Sequence, residues 1–87
     1  MLEVKILGTG CPKCKRLEQL AFNAAAEADI DVDIQKVTDI DAIMGYPIAG
    51  TPGLVINGKV MCSGRLPRQQ EIVDWFKEAA LREETRA

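Results

Sequence analysis

Apolar and polar positions alternate at two different periods along this chain, and the changes of period mark its elements. Leu2, Val4 and Ile6 alternate with Glu3 and Lys5 before Gly8, which predicts a short strand over Leu2 to Leu7. A helical spacing then takes over at Leu17, Leu20, Ala21, Ala24 and Ala28. Pro12 suits the first position of that helix, where a backbone N–H has no intrahelical partner in any case. Val32 and Ile34 stand between polar neighbours and predict a second strand over Asp31 to Val37. With a helix between them, the two strands are expected to run parallel, joined by a right-handed crossover.

Asp39 to Met44 reads as a short helix with Thr38 as its cap. Gly45 to Gly53 is a loop holding Pro47 and Pro52. Beyond it, Leu54, Val55 and Ile56 face Lys59, Val60 and Met61 across Asn57-Gly58, the signature of a two-residue hairpin with a type I′ turn. Such a turn pairs Ile56 with Lys59, Val55 with Val60, Leu54 with Met61 and Gly53 with Cys62. Pro67 to about Arg82 reads as an amphipathic helix with Ile72, Val73, Phe76 and Ala80 on its apolar face, followed by a polar tail over Glu83 to Ala87. The order strand, helix, strand, short helix, strand, strand, helix predicts an α/β architecture: a four-stranded mixed sheet flanked by three helices. With 87 residues, the expectation is a single domain over 1–87.

Composition changes this picture mainly by exclusion. The chain is 47% hydrophobic and 28% charged and contains no histidine, which removes serine–histidine and cysteine–histidine catalysis and histidine metal sites. A net charge of −2 argues against nucleic acid as a partner. That charge is unevenly spread. Residues 1–16 carry four bases (Lys5, Lys13, Lys15, Arg16) against one acid (Glu3), whereas the remainder carries seven bases against twelve acids. No basic start leads into an apolar run and no stretch approaches the length of a membrane span, so neither secretion nor a membrane is expected. The cytoplasm is then the default compartment, where a close cysteine pair signals redox or metal chemistry rather than structural stapling.

The chemistry gathers at Cys11-Pro12-Lys13-Cys14, a C-x-x-C placed after a strand and at the start of a helix. There the unpaired N–H groups and the positive end of the helix dipole favour a thiolate on Cys11, with Lys13, Lys15 and Arg16 expected to add screened positive charge. Cys14, one turn in and on the apolar side near Leu17, is expected to be the shielded thiol. Two small buried residues at chance spacing are the bland alternative, against which the helix start and Pro12 both weigh.

These residues carry a resemblance. Gly8-Thr9-Gly10-Cys11-Pro12-Lys13-Cys14 after the first strand, Thr51-Pro52-Gly53-Leu54-Val55-Ile56-Asn57-Gly58-Lys59, and the closing helix resemble the thioredoxin and glutaredoxin-like proteins. Within them, the chain is similar to the small single-domain redox-active disulfide group. The resemblance covers nearly the whole chain and implies a thioredoxin-like fold. It implies a thiol–disulfide oxidoreductase in which Cys11 attacks a protein disulfide and Cys14 resolves the mixed disulfide, with no metal or organic cofactor. It further implies that Pro52 is cis and lies beside the dithiol. Thr51, Pro52, Pro12 and Lys13 would meet the substrate.

Departures from the family narrow the subtype. Larger thioredoxins place a tryptophan before the first cysteine, where this chain has Gly10. Glutaredoxins carry a tyrosine inside the dithiol motif and Gly-Gly after the hairpin, where this chain has Lys13 and Cys62-Ser63-Gly64. Arg65 and Arg68 could meet a carboxylate of glutathione, but no acid stands ready for its amine. A flavoprotein of the thioredoxin reductase type is therefore the expected electron donor.

A different class remains open: the same two thiolates could hold Cu(I), Zn or trivalent arsenic in a metal-binding or metallochaperone module. Copper chaperones also carry C-x-x-C after a first strand, but they lack Thr-Pro before a hairpin and usually have methionine where this chain has Thr9. A third reading is a binding module with a vestigial dithiol. Cys62 is read first as a small core residue and second as a third thiol near the pair. Trp75 and Phe22 are read as partial packing residues, Tyr46 as lining the loop that faces the dithiol, and Asp29, Asp31 and Asp33 as a solvated face.

Overall fold

Hydrophobic alternation in the first strand separates two faces of a sheet, and the rest of the molecule is arranged on those faces. The computed structural model describes residues 1–85. Their elements are β1 (Leu2–Leu7), α1 (Pro12–Ala28), β2 (Val32–Val37), α2 (Ile40–Met44), β3 (Gly53–Ile56), β4 (Lys59–Ser63) and α3 (Gln69–Thr85). They form one four-stranded sheet in the order β2-β1-β3-β4. β1 runs parallel to β2 and antiparallel to β3, and β3 runs antiparallel to β4. This is the mixed sheet expected from the element order.

Leu2, Val4 and Ile6 of β1 and Leu54 and Ile56 of β3 point to one face. There they pack with Leu17, Leu20, Ala21, Ala24 and Ala25 of α1 and Ile72, Val73 and Phe76 of α3. Leu7 and Val55 point to the other face and pack with Ile43 of α2, with Tyr46 and Ile48 around them. The molecule is thus two helices, a sheet and one short helix. Small alanines along α1 let α3 lie close beside it, and fully buried Phe76 fills the space between helices and sheet.

Several boundaries differ from the sequence expectations for identifiable reasons. The cap of α2 is Asp39, not Thr38: its side chain accepts the Asp41 N–H at 3.3 Å. α3 begins at Gln69 rather than Pro67, and Pro67 is buried ahead of it. Glu71 reaches back to the Arg68 N–H at 3.2 Å, which satisfies a donor at the helix start and fixes the chain entry two residues late. The inner face of α3 carries Ala79 in place of Ala80. The helix continues through Glu83 to Thr85, where a polar tail was expected, and the last part of that tail, residues 86 and 87, lies outside the described residues. Phe22 is 54% exposed and is not a packing residue, whereas Trp75 packs against the core as expected. Asp29 ends α1 in the left-handed region at φ 54°.

The hairpin turn itself is as expected, with Asn57 at φ 49° and Gly58 at φ 84°. Ile56 pairs with Lys59 and Val55 with Val60, but Leu54 then pairs with Cys62 and Gly53 with Ser63. Met61 is therefore an extra residue in β4, a bulge that shifts the register by one. The expected pairs Leu54 with Met61 and Gly53 with Cys62 are wrong for that reason. The shift carries Cys62 onto the face of α1 and α3, where it is 7% exposed.

Candidate active site

The ends of three strands and the start of one helix meet at one edge of the sheet. β1 stops at Leu7 opposite Gly53, so Gly8 and Pro52 leave the sheet side by side. The Gly8 N–H is held by the Val37 carbonyl at 3.0 Å, and Gly10 turns the chain into α1 at φ 94°, a conformation that glycine adopts without strain. The Thr51–Pro52 peptide bond is cis. Pro52 is buried, and its carbonyl accepts the Gly64 N–H at 3.0 Å. The Ala49 N–H is turned to the Ser63 hydroxyl at 3.3 Å, so the proline loop is tied to the end of β4 on both sides.

Cys11 is the N-cap of α1, and its Sγ accepts the Cys14 N–H at 3.3 Å. The two sulfurs lie 2.7 Å apart as free thiols. Their surroundings differ. Cys11 is partly exposed, while Cys14 is 5% exposed and faces the core side of α1. The Cys11 thiol is held below its usual range first by the hydrogen bond from the Cys14 thiol and then by the Cys14 N–H, against a smaller opposing effect of burial. Burial pushes the Cys14 thiol up, and the neighbouring Cys11 adds to that. Hydrogen bonds to the Cys11 sulfur are the leading causes of this lowering.

Two features of the site were not read from the sequence. One is Gly8, buried at the end of β1, where a Cβ would collide with the Cys14 Sγ and stand 3.2 Å from the Cys14 Cβ. The sequence marks this glycine only as a strand end. The other is the use of Arg65 and Arg68, considered as carboxylate partners for glutathione. Both are turned to Glu71 of their own chain, at 3.0 and 3.6 Å. Cys62 sits behind this cluster, its thiol donating to the Arg65 carbonyl at 3.5 Å, and burial pushes its pKa up. Tyr46 packs with Leu7, Ile43 and Val55 under α2. Among the described residues, no group of three or more Cys, Asp or Glu side chains is arranged to hold a metal ion.

Parallel β1–β2 strands joined by a helix, an antiparallel hairpin and a closing helix on the first helix's side constitute a thioredoxin-like fold. Residues 2–77 match the thioredoxin domain family, and the chain belongs to it. Two relatives are both described as thioredoxin. One, from Methanothermobacter thermautotrophicus, is 35% identical over 72 residues, covering 83% of this chain and 94% of the relative. The other, from Methanocaldococcus jannaschii, is 35% identical over 77 residues, covering 88% of each. A solved structure, the Nu-class GST from Haemonchus contortus, aligns with 91% of this chain at 18% identity and a TM-score of 0.47; the alignment spans 36% of that longer protein.

Proposed function

We propose that this chain is a small single-domain thiol–disulfide oxidoreductase that reduces protein disulfides through the Cys11–Cys14 dithiol. The observation that carries this reading is the unequal pair: a partly exposed thiol with a lowered pKa, hydrogen-bonded to a buried thiol with a raised one. Cys11, as the thiolate, attacks a substrate sulfur and forms a mixed disulfide. Its negative charge is then gone, and with it the part of the raised Cys14 pKa that Cys11 adds. Cys14 deprotonates, attacks Cys11 and releases the substrate as two thiols. Pro12, Lys13, Thr51 and Pro52 would meet the incoming substrate chain beside Cys11.

A flavoprotein of the thioredoxin reductase type would return the two electrons; Arg65 and Arg68 pair with Glu71 of their own chain. The relatives described as thioredoxin support the oxidoreductase class. Among the described residues no helix is long and apolar enough to cross a membrane. A dithiol kept reduced fits the cytoplasm.

The test is a pair of variants incubated with a disulfide-bonded protein. Cys14→Ser is expected to accumulate a mixed disulfide through Cys11, and Cys11→Ser to lose reduction entirely. Adducts forming equally at either cysteine, or full turnover by Cys11→Ser, would overturn the assignment.

A further inference from the structure

Lys13 is placed against the substrate in the reading above, but Lys15 and Arg16 beside it have no task there. Lys13, Lys15 and Arg16 are exposed, and none forms an ion pair among the described residues. The next carboxylate along the helix, Glu18, is turned to Lys36 at 3.6 Å. They also stand where a helix is least suited to them. The N-terminal turns of α1 carry the positive end of its dipole, which favours acids and disfavours bases, and the first turn of α1 holds no acid. A local rule broken this way, with no compensating contact in the fold, points to a function outside it. The Cys11 sulfur already has hydrogen bonds from Cys14 within the fold.

The remainder of the molecule has the opposite sign, with twelve acids against seven bases over residues 17–87. The dithiol therefore lies beside three cations without an ion pair among the described residues, in an otherwise acidic chain, while Asp39 and Asp41 follow the end of β2 at the same end of the sheet. We propose that the cations on the first turns of α1 form a docking surface for acidic partners: the preferred substrates are protein disulfides flanked by Asp and Glu side chains, drawn to Cys11 by Lys13, Lys15 and Arg16. This inference rests on the reductase reading. The chemical step is unchanged. One S–S bond of the substrate breaks and one forms between Cys11 and Cys14, and two electrons and two protons pass from the protein dithiol to the substrate, which leaves as two thiols. The cations act on encounter and orientation.

The experiment uses the reduced protein and two disulfide-bridged peptides that are identical except for flanking positions occupied by Glu in one and Lys in the other. Single-turnover second-order rates are measured at low and high salt. The Glu peptide is expected to react on the order of tenfold faster at low salt, with the ratio approaching one as the screening length shrinks to about 4 Å near 0.5 M salt. The double variant Lys15→Gln/Arg16→Gln should lose most of the ratio. Taking a ratio cancels any change in Cys11 nucleophilicity, which acts on both peptides alike. If both peptides are reduced at equal rates at low salt, or the preference survives both salt and the double variant, the docking surface is wrong and the reductase reading stands. If neither peptide is reduced, both fall.

Discussion

Only a hydrogen atom on the Gly8 Cα separates the end of β1 from the Cys14 sulfur, since a Cβ would occupy that space. The buried thiol is thereby seated against backbone and within 2.7 Å of Cys11, whose thiolate depends first on the Cys14 hydrogen bond. Gly8→Ala must push either the strand or the thiol aside. The expected cost is about 1–3 kcal/mol of stability, the usual range for overpacking. A second effect separates a positioning role from a merely structural one: the midpoint of Cys11 alkylation against pH should rise, because a displaced Cys14 donates more weakly to the thiolate. A folded Gly8→Ala protein with an unmoved midpoint would show that Gly8 only fills space. Cys11 and Cys14 were legible in the sequence because their spacing and their place at a helix start are local facts. Gly8 was not, because its contact with Cys14 exists only once α1 has folded back beside β1.

At the scale of elements, Glu71 ties the start of α3 to the turn before it. Its carboxylate takes a two-pronged contact from Arg65, at 3.0 and 3.4 Å, and a third from the Arg68 N–H. The Arg65 hydrogen bonds come first and the Arg68 N–H second in holding its pKa at about 2, against an ordinary 4.5. A carboxyl depressed in the folded state stabilises the fold above its unfolded pKa and loses that contribution as pH falls through the folded value. Thermal midpoints measured from pH 6 down to pH 2 should therefore drop more steeply for the native protein than for Glu71→Gln between about 4.5 and 2. Parallel curves would mean that the cluster adds nothing to the helix start. The hairpin shows where sequence reading stops at this scale: Asn57-Gly58 specifies the pairs next to the turn, and both are found. The slip at Met61 is not encoded in the turn. It puts Cys62 opposite Leu54, buried, with Met61 partly buried against the core beside it.

Over the whole molecule, one side chain joins the layers. Phe76 is fully buried within the cluster that α1, α3, β1 and β3 share. Phe76→Ala should cost about 3–5 kcal/mol, a large part of the roughly 5–10 kcal/mol typical of a domain this size, and urea unfolding would measure it. A loss under about 1 kcal/mol would mean that the helices hold their places without it. Element order, strand directions and the α1 stripe were all legible, because alternation and helical spacing survive in a single sequence; the division of the sheet into a heavily covered face and a lightly covered one was not. The bulge at Met61 has one more consequence for the molecule among its copies. β2 and β4 are the open edges of the sheet, and an edge strand offers unpaired backbone groups to any other chain. β4 is bent out of register by its extra residue, and β2 presents Asp33, Gln35 and Lys36 to solvent. Neither edge is a flat apolar template, so crowding should not readily drive copies of this small domain to zip together edge to edge.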